Sequence, residues 1–440
     1  MKLIYKLSIG LLLLPLAMVQ GQNAVTKTVG DSLSLSEVMT SVINNYPALK
    51  KAEKEIESAN AKIDLTKTAY LPDVNFATSF TLIGPAPTIT FNGNKVPLSP
   101  PDIYSAAFSV NQNVYDFGRT NKNVAFDEQS REMTKLSVTQ LKQRLSMALV
   151  GNFYSITFLQ EAVNIKNEQL RTLNEHLNFV EKKANTGSAT KYEILTTKVR
   201  ISAIENQKTD ILTALKIQNG QLNSFLGKPQ DNRLLLKNEL FTEKLIPSVD
   251  SLCNTAFANR NEIKMALQKD AILQSRLNVI KVQNNPSLNA FASGGYKNGY
   301  LNSEFQDVGK LNFAIGVGLK VPIFDANRSK HIKIQANADI EGNHQETELA
   351  RRNITNEVVE SKANAESTLK KVAQSELQLS QAQQAYALAE TSFQAGVITN
   401  LDLLDSFTAV AESKLVLLKT KIDYSVNLLK LKIALGEQIY

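Results

Sequence analysis

Catalysis and metal binding need certain residue types at set spacings, and this sequence offers few of them. Its three histidines, His176, His331 and His344, are dispersed and compose no metal site. No His-Glu-x-x-His, Gly-x-Ser-x-Gly or phosphate-loop pattern occurs, and Gly316-Val317-Gly318 sits in a strand pattern without a third glycine. Cys253 is the single cysteine, which excludes an intramolecular disulfide and a Cys-rich metal site. No catalytic residue, metal or cofactor is therefore expected. The polar residues that do stand at telling positions are carboxylates near helix starts: Asp116 and Asp325 before two long helical patterns, Asp402 and Asp405 at the start of a third. Their chemistry is electrostatic, since a carboxylate there accepts free N–H groups and favours the positive end of the helix dipole.

Some of those positions recur because the chain is written twice. Asn45, Leu49 and Pro72 match Asn259, Ile263 and Pro286 at an offset of 214. Further on the offset is 209, joining Tyr115-Asp116 to Phe324-Asp325, Arg119 to Arg328, Gly187 to Gly396 and Phe225-Leu226-Gly227 to Ala434-Leu435-Gly436. Each half should fold into the same elements.

Arg119–Thr186 and Arg328–Ala395 contain no proline, and at ~1.5 Å per residue each predicts a helix of roughly 100 Å. Apolar residues recur every seven positions at Val358, Ala365, Val372, Leu379, Tyr386 and Phe393, with counterparts Leu149, Ile156, Val163, Leu170, Leu177 and Ala184. That repeat predicts left-handed supercoiling against neighbouring helices. Gly187 and Gly396 read as helix stops, and new helical patterns follow at once, so the chain turns back as antiparallel hairpins. Asp116 and Asp325 read as N-caps. Shorter helices over about 36–69 and 248–281 precede Pro72 and Pro286, and each could stack end to end with a later helix to pair with a long one.

Four segments alternate with a period of two. Val74, Phe76, Thr78, Phe80 and Leu82 face away from Asn75, Ala77, Ser79 and Thr81; the sharpest case sets Leu311, Phe313, Ile315, Val317 and Leu319 against Asn312, Ala314, Gly316, Gly318 and Lys320. About ten residues with one apolar and one small or polar face suit a transmembrane barrel strand. Four strands cannot close a barrel, and an open edge in lipid leaves N–H and C=O groups unsatisfied, so closure must come from other copies of the chain.

The N-terminus carries Lys2 and Lys6, then an apolar run from Leu7 to Val19 and small residues near Gly21, as a secretory signal does. The formal charge of +7 is spread without a basic block, so no nucleic-acid partner is expected. The expected order is a signal peptide over 1–21, a first repeat over 22–226, a connector over 227–247 and a second repeat over 248–440. The first repeat has a helix, strands near 73–83 and 103–114, a long helix over about 117–186 and a helix over about 188–226. The second has a helix, strands near 287–296 and 310–321, a long helix over about 326–395 and a helix over about 397–435.

This order, the stretch Val321–Arg328 with its counterpart Asn113–Arg119, and the turn Phe393–Asp405 resemble the TolC family of bacterial outer-membrane efflux channels. The resemblance implies a mainly α fold with transmembrane β structure. Duplicated long helical hairpins form an α-barrel tunnel in the periplasm, and four strands per chain contribute to a shared trimeric β-barrel in the outer membrane. It implies an exit duct of a tripartite efflux or type I secretion system, a homotrimer working with a periplasmic adaptor protein and an inner-membrane transporter. It places Asp402, Asp405 and Glu193 at a pore constriction, Gly187, Ser188, Gly396 and Val397 at hairpin tips for adaptor docking, and Pro72, Pro286, Asp116 and Asp325 at helix–strand junctions. The family's basic residue four positions before the first Asp is here Ile398, while Lys191 is a nearby cation. The alternatives are a periplasmic adaptor, which also uses long helical hairpins, and a secreted coiled-coil protein without a pore. An adaptor needs no duplicated hairpin and no four amphipathic strands. The exported substrate is not legible.

Overall fold

The computed structural model describes residues 32–85, 87–91, 93–240, 247–302 and 306–439. The signal peptide expected over 1–21 lies outside the described residues. The first repeat runs α1 (Leu35–Asn45), α2 (Pro47–Lys67), β1 (Asp73–Leu82), β2 (Thr88–Phe91), β3 (Asn94–Pro97), β4 (Asp102–Tyr115), α3 (Arg119–Asn185) and α4 (Lys191–Leu226). The second runs α5 (Val249–Asn259), α6 (Asn261–Val282), β5 (Ser287–Leu301), β6 (Asp307–Lys320), α7 (Arg328–Gln394) and α8 (Asn400–Ala434).

The stretches expected as single helices over 36–69 and 248–281 are each two helices. The breaks fall at Tyr46 and Arg260, positions related by the same 214-residue offset; Tyr46 is extended, and Arg260, with ψ 130, has also left the helical region. The causes differ. Pro47 forces the residue before it out of the helical region. Arg260 has no proline after it. Instead its guanidinium is held by Glu262 at 2.9 Å and Glu357 at 2.8 Å, while the Asn261 amide donates to the Leu136 carbonyl at 3.0 Å.

α3 and α7 span 67 residues each. α3 packs against α2 and α6 in one half of its length and α4 and α8 in the other; α7 packs against α5 and α6, then α8. All twelve positions of the seven-residue repeat are buried or half-buried and none is exposed, so the periodicity marks the helix seams. The thickest core lies midway along the rods. There Val38, Met39, Leu149, Phe153, Tyr154 and Leu222 join Leu234 and Leu236 of the segment after α4. That segment is pinned by Leu33 N–H to the Leu235 carbonyl at 2.8 Å. Tyr154 donates to the Glu239 carbonyl at 2.9 Å, and burial pushes its phenol up to about 12.

β1, β4, β5 and β6 form one antiparallel sheet in the order β1-β4-β5-β6; β2 and β3 make a separate hairpin between β1 and β4 that the alternation did not suggest. β5 runs to Leu301, past the end expected near 296. One sheet face presents Phe76, Phe80, Phe108, Leu311, Phe313 and Ile315, each at least 60% exposed. Among the described residues no helix covers this face, as a soluble sheet would require. Among the described residues no helix is long and apolar enough to cross a membrane.

Candidate functional site

The two hairpin tips are built alike. Each long helix ends in a turn whose glycine, Gly187 or Gly396, has φ 74. Ser188 N–H reaches back to the Lys183 carbonyl at 2.8 Å, and Val397 N–H to the Ser392 carbonyl at 2.9 Å. These bonds satisfy carbonyls that the helix end would otherwise orphan. The returning helices start with reciprocal caps. Thr190 and Glu193 exchange side-chain and backbone bonds at 3.2 and 3.3 Å, and Thr399 and Asp402 do so at 3.3 and 2.9 Å. Glu193 and Asp402 are the same position of the two repeats at the 209-residue offset. The Thr399 hydroxyl and N–H hold the Asp402 carboxyl below the usual carboxylate range.

Asp405 has no counterpart in this cap. Its Oδ1 lies 2.6 Å from Nη2 of Arg200 on α4, an ion pair that ties the second hairpin to the first. The cation that reaches it is Arg200, one helix away, and not Lys191. Beside it Asn400 is buried. Its Oδ1 meets His176 Nε2 at 2.6 Å, and its amide faces the Thr197 hydroxyl at 3.3 Å. Further up the same seam Lys414 pairs with Glu168 at 2.8 Å. Sequence reasoning missed Arg200, Asn400 and His176. Pairs such as Arg200–Asp405, which bridge positions more than two hundred residues apart, leave no local signal. An Asn placed just after a capping Thr was the only hint.

The helix–strand junctions are also duplicated. Pro72 and Pro286 stand immediately before β1 and β5. Asp116 and Asp325 cap α3 and α7, but not from the N-cap position. The N-caps are Gly118 and Asn327, both left-handed, each preceded by a left-handed non-glycine, Phe117 or Ala326. This tight corner brings each Asp within reach of the first helical turn from two residues further back. Asp116 accepts the Thr120 N–H at 2.7 Å, and Asp325 the Ser329 N–H at 3.0 Å. Burial pushes the Asp116 carboxyl up, but the hydroxyl and N–H of Thr120 and the N–H of Gly118 outweigh it and leave it below its ordinary value. Across the junction Arg119 donates to the Asn285 carbonyl at 2.7 Å and Asn284 to the Asp325 carboxylate at 2.6 Å.

Two long hairpins, one sheet with a bare apolar face and duplicated junctions make a segment of a membrane-anchored tube. The sequence model of the family described as "Outer membrane efflux protein" matches residues 38–228 and 252–437, one block for each repeat. The chain belongs to this family.

Among known relatives, Outer membrane protein TolC of Vibrio cholerae serotype O1 is 20% identical over 415 residues, covering 92% of this chain and 90% of that protein. Cation efflux system protein CusC of Escherichia coli K12 is 23% identical over 431 residues, covering 94% and 89%. A crystal structure of CusC superposes with a TM-score of 0.74 at 18% identity, covering 97% of each chain. The fold is thus the duplicated helical hairpins plus four barrel strands of these channels. The protein is an outer-membrane efflux channel, with its strands in the outer membrane and its helices forming a periplasmic tunnel. These relatives are named as an outer membrane protein and a cation efflux system protein, and neither name is that of an enzyme.

Proposed function

We propose that three copies of this chain close into one passive exit duct that receives cargo from an inner-membrane transporter through a periplasmic adaptor. One observation carries the reading: every tier of the molecule ends in the same two open edges. The sheet ends in β1 and β6, the helices beside it in α2 and α7, and the lower helices in α4 and α7. Joining α7 and β6 of one copy to α4, α2 and β1 of the next pairs the sheet edges and covers exposed side chains on the helix flanks. These include Leu377 and Leu388 on α7 and Tyr192 and Val199 on α4. Two copies would give eight strands, an interior just wide enough for side chains; three give twelve, and a lumen.

In the trimer the exposed Asp402 and Asp405 carboxylates, six in all, ring the tip, with Glu193 at the matching position of the other hairpin. Ser188 and Val397, both exposed and the latter 77% so, offer the turns to the adaptor. Arg200 offsets part of the Asp405 charge, and the remaining carboxylates make the constriction attract cations.

The test is native mass in mild detergent together with conductance in a planar bilayer. A trimer with discrete channels is expected. A monomeric mass, or release from outer membranes by a salt wash, would overturn the reading.

A further inference from the structure

The apolar face of the sheet fixes which side meets lipid, so the opposite face lines the lumen. On that face one transverse row runs through all four strands: Ser79 opposite Ser105, Ser105 opposite Lys297, and Lys297 opposite Lys310. The serine hydroxyls meet at 2.9 Å. Lys297 lies ten residues along β5 from its helix-side start, or roughly 33 Å, which puts the row at the outward end of the barrel.

Two lysines directly opposite on paired strands repel, and such pairs destabilise a sheet. Both are exposed, and neither has an ion-pair partner among the described residues; Lys310 only leans on the Tyr300 ring at 6.0 Å. The strand-end carboxylate of Asp307 is already engaged by the Asn298 amide at 2.9 Å and the Gly299 N–H at 2.7 Å. Asp102 is paired with Leu82, whose side chain belongs to the lipid face. The row below holds Ala77, Ala107, Gly295 and Asn312, none of them charged, leaving the ammonium groups open to the lumen. A pair of unneutralised, adjacent cations in a confined channel is a site for an anion with more than one charge.

We propose that Lys297 and Lys310 form a polyanion-binding ring at the outward mouth of the barrel, with multivalent phosphate-bearing anions as its ligand class. It rests on the shared-barrel reading, which in three copies brings six ammonium groups to one level. The duct would then be asymmetric, with an acidic periplasmic tip and a basic outward mouth.

The probe is inorganic tripolyphosphate, added to either side of the full-length protein in a planar bilayer, where the bulky helical end fixes orientation. Block is expected from the barrel side. Lys297→Gln with Lys310→Gln should weaken it by about tenfold or more, while Lys297→Arg with Lys310→Arg keeps it and Lys320→Gln, at the far end of β6, leaves it unchanged. Salt near 1 M should abolish the difference, since screening is then within about 3 Å. The Gln variant removes a repulsion, so its oligomer in detergent should be as stable as wild type. A wild-type protein that does not conduct sinks the barrel reading and the ring with it. A conducting protein whose block is equal in wild type and the Gln variant overturns the ring alone.

Discussion

The two hairpin tips share every feature that makes the turn and differ in the residues that join one hairpin to the other. Turn glycine, back-bonding N–H and threonine cap coincide at the 209-residue offset, down to φ 74 at both glycines. The ion pair does not. Asp405 corresponds to Thr196 of the first repeat, and Arg200 to Ala409 of the second, so each repeat holds one half of a bond that neither could make with itself. Local geometry limits what duplication can change, because a left-handed turn admits few residues. Surface contacts between the copies are freer, and there the repeats have diverged into partners.

The largest expected effect tests the shared part. Neither Gly187 nor Gly396 has a neighbour that a Cβ would meet, so substitution acts through backbone conformation alone. Gly187→Val and Gly396→Val should each cost about 1–2 kcal/mol, and by similar amounts, because the two turns are the same. Yield of assembled oligomer and efflux by cells carrying each variant would show it. If one tip tolerates valine and the other does not, the equivalence of the turns fails.

The diverged part predicts a smaller effect on stability but a specific one on conduction. Arg200→Ala and Asp405→Ala each remove a partly exposed pair of about 0.2–1 kcal/mol, and the coupling should vanish in the double variant. Channel openings at the tip should become more frequent in both single variants. Only the loss of carboxylates, Asp402→Ala with Asp405→Ala, should lower cation selectivity, read as the reversal potential under a salt gradient. Equal potentials in wild type and that variant would confine both residues to capping and pairing.

The smallest effect tests the second tip's cap by pH. The Asp402 carboxyl is held below its ordinary value by Thr399, so its cap stabilises fully above the unfolded carboxylate pKa of about 3.9 and is lost as pH falls through the lower folded value. Protection of the amides in the first turn of α8, taken relative to their intrinsic exchange rates, should therefore fall on acidification below about pH 4, and Asp402→Asn should remove that dependence. Wild-type protection that does not change with pH would show that the cap does not hold this turn.

Much of the architecture was written locally. The seven-residue repeat marked the seams because each apolar residue reports on the helix it belongs to. The alternation marked four of the strands because lipid-facing and lumen-facing residues differ in kind. The β2–β3 hairpin escaped because its strands are four residues each, too short for a period of two to register. Both helix breaks were missed: the one at Tyr46 although Pro47 stands after it, and its twin at Arg260 because a network with Glu262 and Glu357 makes it and that network exists only once α7 is in place.

The sequence by itself therefore determined the duplication, the helix stops, the lipid-facing strand faces and the acidic residues at the second tip. All of these depend on neighbours within a few turns or strand positions. The tertiary structure alone decided that Asp405 meets Arg200, that Asn400 bridges to His176, that Asp116 and Asp325 cap from behind a left-handed corner, and that Lys297 stands opposite Lys310. Each of these depends on how the backbone folds beyond the local pattern: on the register between strands, the packing of helices from different repeats, or the path of a corner. Periodicity records which face of an element is buried; it does not record which residue of another element lies across from it.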